Sequence, residues 1–200
     1  MKLNILCASL ILTLFLQGCA SFSEPRAHDL RSKRGWDNEL YGDQKQPQPT
    51  EKLILENIDF CFSNNDRLCL AKAYLEYGGF LRSEPVAQRE DFYRQQGFLN
   101  PKANFDNRLL LSKQYIEKAI DIFLYTNKYD LLTNAYLNLA FTHHFSGDQA
   151  NECEAYQESL YFYQRQMTRH PDSHILIPAG FASYAEYIQH HLNRAKCEIW

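Results

Sequence analysis

What the 200-residue chain has little of narrows its class first. It holds 8 glycines and 7 prolines, with the prolines confined to a few junctions, so it lacks the punctuation that folds with many tight turns require. Its 21 basic and 24 acidic residues leave a formal charge of −3, and without a basic excess there is no electrostatic footprint for nucleic acid. The apolar run at the N-terminus, Ile5 to Leu16, is broken by Ser9 and Thr13 and falls short of the ~18 to 20 residues that a spanning helix needs. Catalytic signatures are missing too: no Gly-x-Ser-x-Gly, no phosphate-binding loop, no His-Glu-x-x-His. Pairing acids such as Glu152 with Glu154, or Glu90 with Asp91, has no support, because carboxylates on helices usually mark a solvated face. The expectation is a binding protein rather than an enzyme, with no cofactor and no metal.

What is present begins with the first nineteen residues. Lys2 supplies a positive start, Ile5 to Leu16 an apolar stretch, and Gly18-Cys19 closes it with a small residue before a cysteine; this is the pattern of an export signal. Its end, Leu16-Gln17-Gly18-Cys19, resembles the lipobox of bacterial lipoproteins. The resemblance implies that residues 1–18 are removed as a signal peptide and that Cys19 becomes the acylated N-terminus, carrying palmitate-type chains. Three chains would then hold the protein on a membrane, since one acyl chain binds marginally at ~0.8 kcal/mol per buried CH₂ and several anchor stably. Ala20 follows the cysteine, where by analogy an Asp would favour the inner membrane; the expected place is the outer membrane, facing the periplasm. Loss of Lys2 makes the mature chain one unit more negative than −3.

Residues 19–50 read as a lipidated flexible linker. Ser21 to Thr50 has almost no apolar periodicity and ends Gln44-Lys45-Gln46-Pro47-Gln48-Pro49-Thr50, where alternating prolines favour extended backbone. Some 30 residues of coil reach ~30 Å on average and ~100 Å at full extension. Arg26, Arg31, Lys33 and Arg34 cluster before Trp36; these side chains suit either solvent or anionic headgroups near the anchor.

From residue 51 to 200 the pattern turns helical. Thr50 is a candidate N-cap for a helix over 51–62, and Asn64-Asn65-Asp66 turns the chain into a second over 67–80. A short helix is expected from Ser83 to Gln96, stopped by Gly97, and a loop over 98–105. Longer helices follow over 107–126, 129–146, 151–169 and 178–195. The spacing predicts an all-α domain of antiparallel helical hairpins. Within it, Tyr136-x-x-Leu139-Ala140-x-x-His143-x-x-x-Gly147-Asp148 resembles the first helix and turn of a tetratricopeptide repeat, with Ala119 near the small second-helix position of a preceding repeat. That resemblance implies hairpins stacked as a short α-solenoid, and a peptide or protein partner bound along a concave face by exposed Tyr and Phe.

Cys61, Cys69, Cys153 and Cys197 make an even number in what the leader marks as an oxidising compartment, and three pairings are possible. Cys61 and Cys69 flank one hairpin turn, while Cys153 starts one helix and Cys197 ends the next. The expected disulfides are thus Cys61–Cys69 and Cys153–Cys197, worth roughly 2.5 and 4 kcal/mol by loop closure. Histidines crowd the C-terminal half, but His143-His144 and His190-His191 each point two ways from a helix, so each pair offers one ligand at most. His143 and His191 are expected as hydrogen-bonded core residues, with His144, His170, His174 and His190 on the surface. Glu154 and Glu158, four apart, repel mildly and leave an acidic patch suited to a basic partner. The function expected from all this is a membrane-anchored adaptor or assembly factor in the bacterial envelope. An immunity-type lipoprotein that binds a toxin, or a structural lipoprotein, are the alternatives.

Overall fold

A computed structural model describes residues 48–173 and 175–197. The expected leader 1–18, Cys19, the linker to Pro47 with Arg26, Arg31, Lys33, Arg34 and Trp36, and His174 lie outside the described residues.

Apolar spacing sets the helices almost throughout. Eight are present among the described residues, with no strand: α1 (Gln48–Ser63), α2 (Arg67–Arg82), α3 (Glu84–Ala87), α4 (Glu90–Gln96), α5 (Arg108–Tyr125), α6 (Tyr129–Ser146), α7 (Gln149–Arg169) and α8 (Tyr184–Arg194). The protein is all-α. α1 starts ahead of the expected cap because Pro49 falls in its first turn, where a missing N–H costs nothing; Thr50 is therefore inside the helix. The expected single helix over 83–96 is two short ones, broken at Gln88 and Arg89. α8 starts at Tyr184 rather than 178, because the Ser183 side chain accepts from the Glu186 N–H and Glu186 accepts from the Ala182 N–H at 2.7 Å. Two of the hairpin turns place an asparagine in the left-handed region, Asn65 at φ 53° and Asn127 at φ 52°, a conformation that Asn tolerates.

Packing is serial. α1 pairs with α2, α2 with α5 across the α3–α4 insert, then α5 with α6, α6 with α7 and α7 with α8; α2 also touches α6. The result is a stack of antiparallel hairpins in an α-solenoid-like arrangement. One core runs through the stack, including Ile116, Ala119 and Phe123 of α5, Leu132 and Ala140 of α6, Tyr156 of α7 and Ile188 of α8. A second core joins Tyr77, Phe80 and Leu81 of α2 to Val86, Tyr93, Phe98 and Phe105 of the insert and its loop.

Small residues and hydroxyls set the spacing between layers. Gly78 lies so close to α5 that an added Cβ would come 2.6 Å from Ile116 Cγ1 and 2.9 Å from the Ser112 carbonyl oxygen. Ser112 Oγ donates to the Gly78 carbonyl at 2.7 Å and lies 3.1 Å from Thr142 Oγ1 on α6. One layer on, Ser159 of α7 repeats the role: its Oγ donates to the Thr133 carbonyl of α6 at 2.7 Å and meets the Tyr184 hydroxyl of α8 at 2.7 Å. Each serine thus ties its helix to its two packing neighbours, and each of these four buried hydroxyls has a partner.

Candidate functional site: a cleft over α6

α2 and α6 touch, whereas α5 and α7 do not. Both outer helices lean on α6, and the gap between them is a cleft of about 440 Å³ with α6 as its floor, within the range of ligand sites. Tyr136, Leu139 and His143 come from α6, at the i, i+3, i+7 spacing of one helical face. α5 supplies Lys113, Glu117 and Leu124; α7 supplies Asn151, Glu154, Ala155, Glu158 and Phe162. The rings of Tyr136 and Phe162 stack at 5.4 Å and 11°, giving the cleft an aromatic corner.

The walls carry an unbalanced charge. Lys113 and Glu117 answer one another within a turn of α5, 3.6 Å apart. Among the described residues neither Glu154 nor Glu158 has a basic partner. Burial first, and then the Glu154 carboxylate, raise the Glu158 carboxyl above its ordinary value. Burial likewise raises the Tyr136 phenol, with Glu158, Asp121 and Glu154 adding to the effect. In both groups burial leads and the neighbouring carboxylates add to it.

A larger hollow, of about 630 Å³, lies at the turns around residues 127–130 and 166–173. Its charges alternate, with Lys128 and Arg169 against Asp130 and Asp172, so no single sign of ligand is favoured. Next to it Arg169 and Arg165 stand over the Tyr129 ring, 4.7 and 5.4 Å from its centroid.

The other side chains singled out from the sequence fall as follows. Cys61 is bonded to Cys69 and Cys153 to Cys197, with Cα separations of 5.4 and 5.5 Å; Cys19 is outside the described residues. His143 is buried, with Nδ1 3.2 Å from Asp148 Oδ2. The Nδ1 atom of His191 is 3.3 Å from the Tyr156 hydroxyl, and the ring stacks on Tyr156 at 5.2 Å. Burial above all, then the charges of Arg194, His190 and His144, push this imidazole down to about 4. His144, His170 and His190 are exposed. Glu152 corrects the expectation of a solvated face: it is buried, and its carboxylate meets His144 Nδ1 at 3.1 Å. Glu90 does lie in solvent, bound with Asp106 to Arg94, and Asp91 is exposed. The most exposed aromatic rings, Phe60, Phe62, Tyr125, Phe145 and Tyr161, belong to four different helices, α1, α5, α6 and α7.

One buried acid escaped sequence reasoning. Glu51, in the first turn of α1, has no exposed surface, and its carboxylate accepts from the Tyr77 hydroxyl at 3.0 Å, the Leu99 N–H at 2.9 Å and the Asn100 N–H at 3.3 Å. It clasps α1 to α2 and to the loop after α4. Compared with known proteins, the chain matches no family model, no curated protein and no solved structure.

Proposed function

We propose that the chain is a membrane-anchored lipoprotein of the bacterial cell envelope whose helical domain is a protein-binding adaptor or assembly factor. The observation that carries the binding half is the cleft over α6: it is lined by three helices, mixes apolar and polar side chains, and has the volume of a ligand site. No catalytic constellation is part of this reading. The anchoring half rests on Leu16-Gln17-Gly18-Cys19 and the apolar run before it. It places the acylated Cys19 on the outer membrane, with the domain in the periplasm at the end of its linker. The disulfides fit that oxidising compartment.

The solenoid is also read as a divergent tetratricopeptide array. Tyr74-x-x-Tyr77-Gly78-x-x-Leu81 of α2 repeats the offsets of Tyr136-x-x-Leu139-Ala140-x-x-His143 of α6. α2 with α5, and α6 with α7, then form successive repeats, the first interrupted by α3 and α4.

Replacing Cys19 with Ser tests the anchor directly. The variant should lose palmitate labelling and leave the membrane fraction, while the purified domain still binds whatever the wild type binds. If Cys19→Ser protein stays with outer membrane through high salt, the lipoprotein assignment is wrong.

A further inference from the structure

We infer that the occupant of the α6 cleft is an extended segment of a partner protein that inserts a lysine or arginine side chain against Tyr136, between Glu154 and Glu158. This rests on the adaptor reading and names the chemistry its partner must carry.

The shape comes first. Because α5 and α7 do not touch, the cleft runs between two helices rather than into the core. An extended strand is the slimmest form of a chain and enters a gap between two helices with the least displacement of its walls, whereas a helix is ~10 Å or more across with side chains. Chemistry then selects the side chain. The lining is apolar at Leu139 of the floor and Ala155 of the α7 wall and aromatic at Tyr136 and Phe162, which suits the methylene stem of a long side chain. At the wall stand Glu154 and Glu158, with no basic partner among the described residues. An aromatic face beside two carboxylates is an arrangement that a cation satisfies twice, through the ring quadrupole and through a charge-assisted hydrogen bond.

The existing cations do not fill this role. Lys113 is engaged with Glu117 on the opposite wall. Burial first, and the Glu154 carboxylate second, lift the Glu158 carboxyl, and an arriving ammonium or guanidinium group offsets the repulsion between the two acids. An acidic or phosphorylated segment would meet like charge on entry and be rejected.

The test is in-cell photo-crosslinking of the full-length protein. A photo-reactive amino acid replaces Leu124, an exposed residue on the cleft rim, and in a second strain replaces Phe60 on α1, away from the cleft. The expected result from position 124 is a covalent adduct whose attachment segment, mapped by mass spectrometry, contains Lys or Arg. Capture should fall roughly tenfold or more when Glu154→Gln and Glu158→Gln are combined. That double variant relieves repulsion, so its melting temperature should equal or exceed the wild type's and lost capture is not lost folding. An attachment segment without Lys or Arg, or capture indifferent to the double variant, overturns the inference and leaves the adaptor reading standing. Capture from position 60 alone does the same. No partner from either position overturns both.

Discussion

Two adjacent glycines in α2 should respond to the same substitution with opposite signs. In a helix interior, Gly→Ala gains ~1 kcal/mol from propensity alone. At Gly79 nothing opposes that gain, because the nearest atom to an added Cβ is Asn138 Oδ1 at 3.9 Å, an ordinary contact. At Gly78 the new methyl would come 2.6 Å from Ile116 Cγ1, 2.9 Å from the Ser112 carbonyl oxygen and 3.2 Å from Ile116 Cδ1. Ile116 is fully buried and has no room to turn away. The carbonyl belongs to the backbone of α5, so relief requires moving that helix. Moving it stretches the Ser112-to-Gly78 hydrogen bond, worth ~1 kcal/mol net, and adds overpacking of ~1–3 kcal/mol. Set against the propensity gain, Gly78→Ala should cost ~1–3 kcal/mol while Gly79→Ala should stabilise by up to ~1 kcal/mol. Urea unfolding monitored by circular dichroism reads both as displacement of the midpoint at constant slope. Should the two variants move the midpoint in the same direction, the claim that α2 and α5 are set at glycine-limited distance fails.

The Glu51 clasp predicts a graded loss. Glu51→Gln keeps one acceptor but turns an amide N–H toward the Leu99 N–H, for a cost of ~1–3 kcal/mol, whereas Glu51→Ala removes the acceptor of three donors, two of them buried, and should cost more; equal or inverted losses in urea unfolding would refute this. At His191 the sign with pH follows from its direction of shift. The folded imidazole titrates at about 4 against an ordinary 6.5, so the unfolded chain binds more protons in between. Stability from this site is complete above pH ~6.5 and drains as pH falls toward ~4. His191→Phe keeps the ring contact with Tyr156 but cannot titrate, so on acidification the wild type should lose melting temperature relative to the variant. A gap between the two that ignores pH would show that the site is not the source.

How much was legible from the sequence depended on whether the signal was local. α6 was expected over 129–146 and lies at Tyr129–Ser146, because Asn127 and Gly147 both offer the left-handed turn that ends a helix. The cysteine pairs followed from hairpin order alone. α8 starts at Tyr184, not 178, and the signal for that start is local too: Ser183-x-x-Glu186 is a cap written in the sequence. Glu51 is different in kind: the two backbone amides it serves are 48 and 49 residues away, and no window of sequence contains them. The cleft is half-legible. The repulsion between Glu154 and Glu158 follows from their spacing, but the gap that makes a site of them depends on how α5 and α7 diverge over α6, which neither helix encodes alone.

The positions of the two disulfides bear on how the stack comes apart. In a linear array each unit is held by its neighbours, so the outermost units, with one neighbour each, are where unzipping begins. Here α1 is fastened to α2 by Cys61–Cys69 and the segment just after α8 to α7 by Cys153–Cys197, one bond at each end of the stack and, among the described residues, none in the middle. The covalent links therefore guard the two places from which fraying would spread. With both intact, opening has to start inside the stack against two interfaces at once, and the helices should melt together. With both reduced, the same helices should peel away from the ends in stages.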